Sequence, residues 1–138
     1  MLVAEAMTTH PITLPPGAPA KRAAAAMRDN GIGDVLVVKR GGQLLGIVTD
    51  RDIAVRSVGE GRRMTTKLEE ICTQEPVTIT ANEGLEQAVE TMKQNKVRRV
   101  PVVDNDGKAI GVVSLGDAAT RLDEDSALAD ISRAPANN

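Results

Sequence analysis

The 138-residue chain contains no Trp, Tyr or Phe, one cysteine (Cys72) and one histidine (His10). Without aromatics the core must be aliphatic, built from Val, Ile, Leu, Ala and Met, and a flat ligand would be held between aliphatic side chains and peptide groups. A single cysteine excludes an internal disulfide, and a single histidine leaves too few ligands for a soft-metal site, so no metal is expected. Cys72 reads as a small apolar residue at the end of a helix. No apolar run approaches the ~20 residues of a membrane span, and MLVAEAMTTHP lacks the charged and apolar regions of a signal peptide. Neither sign of charge predominates: 17 Lys and Arg face 19 Asp and Glu, for a formal charge of −2. A nucleic-acid protein would show a basic face and stacking aromatics. The expectation is a soluble, cytoplasmic protein whose partners include neither nucleic acid nor membrane.

Catalysis is not expected, and no catalytic residue is assigned. His10 stands in a Thr-Thr-His-Pro turn and Cys72 opposite Met7 in the repeat described below; neither has a neighbouring set of catalytic groups. Asp50, Asp104 and Asp106 raise the question of a divalent metal. Asn105-Asp106-Gly107 reads instead as a tight turn, because the further ligands of a calcium loop are missing.

What the chain does contain is 41 % hydrophobic and 26 % charged residues, ordinary globular values, arranged as an internal repeat. Displaced by 65 residues, Leu2–Ile53 aligns with Lys67–Ala118 without a gap, and 14 of the 52 positions are identical. About 4 identities would arise by chance, so duplication is a firmer inference than any single motif. Pro11-Ile12-Thr13 matches Pro76-Val77-Thr78; Met27 and Asn30 match Met92 and Asn95; Gly46, Val48 and Asp52 match Gly111, Val113 and Asp117.

Each half reads as β-α-β-β-α. A short extended piece after a proline (Ile12–Leu14; Val77–Thr80) leads to a helix whose apolar residues recur at three and four positions, as in Leu85, Val89 and Met92. Two β-branched runs follow, Val35–Val38 with Leu44–Thr49 and Val100–Val103 with Ile110–Ser114, each pair joined by a glycine-containing turn. A second helix starts at Asp50 or Leu115. The expected boundaries are 1–57 for the first repeat, 58–66 for a linker, 67–122 for the second repeat and 123–138 for a C-terminal tail. Neither half buries much surface alone, so the two are expected to pack about an approximate two-fold axis.

GIVTDRD (46–52) and GVVSLGD (111–117) end corresponding strands with the same hydroxyl and the same aspartate. One reading is local: Thr49 with Asp52, and Ser114 with Asp117, stand in the spacing of a helix capping box. The proline-led first strand, the V-x-V-V strand and the closing G-h-h-T/S-x-x-D, repeated in order over residues 2–118, also resemble the cystathionine-β-synthase (CBS) domain in its tandem form, the Bateman module.

That resemblance implies an α+β fold of two CBS repeats about a pseudo-two-fold axis, dimerising through helical faces into a disc. It implies a regulatory module that binds AMP, ADP, ATP or S-adenosylmethionine between the repeats and modulates an unidentified partner protein. The alternative is a ligand-free dimeric scaffold. No cofactor is required beyond such a regulatory ligand. By the same resemblance Asp52 and Asp117 accept hydrogen bonds from the ribose hydroxyls, suiting a carboxylate to a vicinal diol. Thr49 and Ser114 meet the ribose-phosphate portion beside a helix N-terminus. Ile12, Thr13, Val77 and Thr78 lie along the adenine edge, and Arg98, Arg99, Val100 and Pro101 form the basic stretch that faces phosphate. The first half has Gly33 and Asp34 where the second has Arg98 and Arg99, while Arg51 faces Gly116 in the alignment and offers the first motif a cation. At most one good nucleotide site is therefore expected. The tail is read as fraying or as docking through Ser126–Ile131.

Overall fold

The computed structural model describes the backbone of residues 1–133 and the side chains of residues 1–124. Its elements in order are α1 (Val3–Ala6), β1 (Thr8–Thr9), β2 (Thr13–Leu14), α2 (Ala20–Asn30), β3 (Asp34–Val38), β4 (Leu44–Thr49) and α3 (Asp50–Asp52), which continues as a π-helical stretch over Ile53–Val58. There follow α4 (Leu68–Ile71), β5 (Thr73–Gln74), α5 (Leu85–Gln94), β6 (Arg99–Val103), β7 (Ala109–Ser114) and α6 (Leu115–Arg133). This is the expected α+β fold of two repeats, with both hairpins and the helix starts at Asp50 and Leu115 in place. The backbone of α6 runs helical through the start of the expected tail. The side chains proposed to dock, Ser126–Ile131, and residues 134–138 lie outside the described residues.

The same spacing in both halves makes the same helix. Ala20, Ala23 and Met27 of α2 and Leu85, Ala88 and Met92 of α5 are buried, three or four residues apart on one stripe. Each helix ends in a left-handed residue, Gly31 at φ 62° and its counterpart Lys96 at φ 55°. Glycine adopts that conformation without strain and lysine does not.

Packing departs from the expected contiguous repeats, because short leading segments are exchanged between the halves. Strand β1 pairs antiparallel with β7 of the second repeat (Thr8 with Val112, Thr9 with Gly111), and β5 pairs with β4 of the first (Thr73 with Ile47, Gln74 with Gly46). Val3 of α1 is buried among Ile79, Leu85, Met92, Val100 and Val113, whereas Leu68, Ile71 and Cys72 are buried against Leu14, Met27, Val35 and Val48. The physical reason is the apolar pattern: α1 and α4 each bring buried aliphatic residues that the opposite core encloses. Cys72 caps α4 inside the first core, and burial pushes its thiol above the ordinary value.

The expected strand Val77–Thr80 shrinks to a single bridge, Ile79 to Val102, although its counterpart β2 makes two parallel pairs with β3. In the first half the Leu36 N–H donates to the Ile12 carbonyl at 3.1 Å. The equivalent of Leu36 is Pro101, which has no N–H to give Val77. Between the repeats Leu36, Ile47 and Val112 form a third buried cluster, and the two hairpin turns interlock, with Gln43 Nε2 donating to the Asp106 carbonyl at 2.6 Å.

Gly111 is required where β1 crosses β7. A Cβ there would stand 2.8 Å from Met7 Sδ and 2.9 Å from the Thr8 carbonyl oxygen. Gly111→Val is expected to displace β1 and to destabilise the fold by at least the ~1–3 kcal/mol of core overpacking. Urea unfolding followed by far-ultraviolet circular dichroism measures this, with Gly116→Ala, which meets open space, as the control.

Candidate functional site

The exchange creates a cleft. After pairing with β7 at Thr8 and Thr9, the chain crosses to the first repeat and pairs with β3 from Thr13 onward. Residues 10–12 therefore span the gap between the repeats, with His10 in a left-handed conformation at φ 51°. Below them lies a cavity of about 430 Å³. Thr8, His10, Pro11 and Ile12 form its crossing wall, Asn30 to Asp34 a second wall from the first repeat, and Arg99, Val112, Ser114 and Asp117 a third from the second repeat.

Of the residues singled out from sequence, this cleft unites Ile12, Arg99, Ser114 and Asp117. Thr13 is exposed on β2 just beyond it. The internal two-fold carries the lining residues Ile12, Gly33, Ser114 and Asp117 onto Val77, Arg98, Thr49 and Asp52, so those four belong to the opposite, pseudo-equivalent side. The basic pair is thereby split: Arg98 is exposed and equivalent to Gly33, while Arg99 turns to the Ser114/Asp117 cleft. Thr78 is exposed, and Pro101 and Val100 are buried, Val100 completely within the second core. A side chain enclosed in that core cannot meet a solute, so Val100 holds its strand in place. Arg51 is exposed and forms no ion pair among the described residues. Sequence reading passed over His10, Asn30 and Ile32 as site residues; the positive φ at His10, forced by the crossing, is invisible to composition or period.

The two closing motifs differ in a way their sequences conceal. In the first half the capping box is complete: the Asp52 N–H donates to Thr49 Oγ1 at 3.1 Å, and the Thr49 N–H donates back to Asp52 Oδ2 at 2.9 Å. Asp52 Oδ1 also lies 3.8 Å from Arg56 Nε. In the second half the Asp117 N–H donates to Ser114 Oγ at 3.1 Å, and the exposed Asp117 carboxylate accepts no hydrogen bond among the described residues. Capping therefore occupies the Asp52 carboxylate and leaves that of Asp117 able to accept from a solute.

Among the described residues Arg99 makes the one ion pair that crosses the two-fold. Its Nε lies 3.1 Å from Asp34 Oδ2, joining residues at equivalent positions of the two repeats, both half-buried. Burial pushes the Asp34 carboxyl above its ordinary value, Arg99 pulls it back, and the Asp50 charge adds to the rise. The guanidinium lies across Gly33, whose absent Cβ would stand 2.6 Å from Arg99 Nη2. Among the described residues no group of three His, Cys, Asp or Glu could hold a metal.

Comparison with known proteins bears on the family and the fold. A family model described as the CBS domain matches twice, over residues 3–59 and 68–124. The CBS domain-containing protein YhcV of Bacillus subtilis is 38 % identical over 117 residues, 85 % of this chain and 82 % of that protein. The CBS domain pair of protein MJ0100, solved with 5′-methylthioadenosine and S-adenosyl-L-methionine, superposes with a TM-score of 0.83 at 26 % identity, covering 91 % of this chain and 98 % of that one. The CBS domain protein PAE2072 of Pyrobaculum aerophilum, complexed with AMP, superposes with a TM-score of 0.79 at 25 % identity over 85 % of this chain and 89 % of its own.

Two measurements test this asymmetry. Asp52→Ala removes the acceptor of the Thr49 N–H and is expected to cost about 0.5–2 kcal/mol, whereas Asp117→Ala keeps its N–H bond to Ser114 and is expected to leave the unfolding midpoint nearly unchanged. Carboxyl-carbon NMR titration is expected to find Asp34 above the ordinary aspartate value and Arg99→Gln to raise it further. A carboxyl whose folded value is raised binds more protons folded than unfolded across that interval. Asp34 therefore lowers stability as pH rises from the ordinary value through the raised one, and adds no slope above it.

Proposed function

The chain belongs to the CBS-domain family, and on that premise we propose that it is a non-catalytic regulatory module that binds an adenosine-containing ligand between its repeats and signals the bound state to a partner protein. The observation that carries this reading is the free Asp117 carboxylate in a cavity of about 430 Å³ beside the Ser114 hydroxyl. A deprotonated carboxylate accepts and cannot donate, which matches the two donors of a ribose 2′,3′-diol. The crossing segment at Pro11 and Ile12 offers aliphatic surface and peptide groups to the flat base. AMP, 5′-methylthioadenosine and S-adenosylmethionine, bound by structural neighbours, are the candidate ligands.

The proposed roles are Asp117 for the ribose, Ser114 for its 5′ side and Ile12 for the base. On the opposite side Asp52, Thr49, Val77 and Arg98 occupy the equivalent places, with Asp52 already committed to its cap. Regulation follows by linkage: a ligand touching both repeats favours the relative arrangement it contacts better, and a partner preferring that arrangement gains the same factor. We propose a second copy of the chain as one such partner, covering the exposed Val55 and Val58 of the π-helical stretch and Met64 of the turn that follows.

The missing aromatics supply the test. With no Trp, Tyr or Phe the protein is nearly transparent at 260 nm, so a retained purine is visible in the spectrum and is released by acid precipitation. Calorimetric titration with AMP, ADP, ATP, 5′-methylthioadenosine and S-adenosylmethionine is expected to give saturable heat, weakened about tenfold or more in Asp117→Ala. No retained purine and no heat with any of the five would replace this reading with the ligand-free scaffold.

A further inference from the structure

The cleft holding Ser114 and Asp117 carries an unusual charge balance for a nucleotide site. Its ionisable lining residues are His10, Asp34, Arg99 and Asp117; with His10 neutral they sum to one positive and two negative charges, −1. The single arginine is already committed, its Nε lying 3.1 Å from Asp34 Oδ2. We infer that this cleft selects adenosine derivatives whose 5′ substituent is uncharged or cationic, a thioether or sulfonium, and discriminates against 5′-phosphates, with Asp34 as the residue that sets the preference. The inference rests on the adenosine reading of the cleft given above.

Size removes the dependence on pose. A cavity of about 430 Å³ is about 9 Å across, close to one Debye length at physiological salt, so an anionic group inside it feels both carboxylates. A phosphate has two options. It can remain beside Asp34 and Asp117 against their repulsion, or it can draw Arg99 to itself and leave a half-buried Asp34 without its counter-charge. The rise in the Asp34 carboxyl value caused by burial and by Asp50 points the same way, since this wall already resists negative charge. A thioether meets neither cost, and a sulfonium is attracted. The opposite side of the two-fold has Arg98 at the position equivalent to Gly33, a cation that the Ser114/Asp117 cleft lacks.

Calorimetric titrations of the full chain with 5′-methylthioadenosine, S-adenosylmethionine and AMP test the inference, with Asp117→Ala identifying the heat that belongs to this cleft. In the unmodified protein the two sulfur compounds are expected to bind it about tenfold or more tightly than AMP. Asp34→Asn frees Arg99 and is expected to strengthen AMP by about tenfold while changing 5′-methylthioadenosine less than about threefold. AMP binding as tight as the sulfur compounds, with heat lost in Asp117→Ala, overturns the selectivity and leaves the adenosine reading standing. Sulfur compounds that bind without any Asp117-dependent heat overturn the assignment of the cleft itself. The comparison within the unmodified protein decides the question even if Asp34→Asn fails to fold.

Discussion

The exchange of short leading segments between the two halves is the constraint on which everything else depends. Strand β1 can lie against β7 only because Gly111 presents no Cβ to Met7 and Thr8, and Gly46 likewise leaves room for Thr73 and Cys72 on the other side. Once β1 is fixed on the second repeat and β2 on the first, the chain between them has a few residues in which to cross. Residues 10–12 become the roof of a cleft, and the closing aspartate of one repeat comes to face the strand entry of the other. A fold of two independent units joined by a linker would place no such wall above Ser114 and Asp117.

Much of this architecture was legible in the sequence. The constant offset of 65 residues, the Met27/Met92 and Ala23/Ala88 stripes and the β-branched hairpins carry strong periodic signals, and the hairpin strands begin and end within a residue of the expected places. The exchange was not legible, because α1 and α4 are four residues long and β1 and β5 two, too short for any period to register. The shortened strand before α5 has a cause that was visible yet needed a partner to have meaning. Pro101 matters only when one knows that its counterpart Leu36 donates to the Ile12 carbonyl. For the cleft, the structure brings Ile12, Arg99, Ser114 and Asp117 to one cavity, and their grouping follows the crossing chain and not the sequence order. Arg99 lines the Ser114/Asp117 cleft, and Arg98, adjacent in sequence, does not.

Capping and binding had been compatible readings of the same four residues. The geometry distributes them unevenly. Thr49 and Asp52 satisfy each other's backbone donors, and an acceptor engaged by the Thr49 N–H and approached by Arg56 has less left for a solute. Ser114 caps the Asp117 N–H alone, so the second motif stabilises its helix with the hydroxyl and leaves the carboxylate over. A sequence motif thus specifies the chemical groups, and the hydrogen bonds they already make decide which remain for function.

Duplication would by itself produce two equal clefts, and the Asp34–Arg99 pair shows how that equality is lost. Asp34 and Arg99 stand at equivalent positions close to the two-fold, so their charges meet across the axis, where two identical charges would repel and two opposite charges attract. A duplicated arginine or a duplicated aspartate at this place would therefore be strained, and an Asp–Arg combination relieves the strain. The same combination gives one cleft a wall with an acid in it and removes the cation that the other repeat would have supplied. Stability of the interface between the repeats and inequality of their clefts are in this chain two consequences of a single 3.1 Å contact.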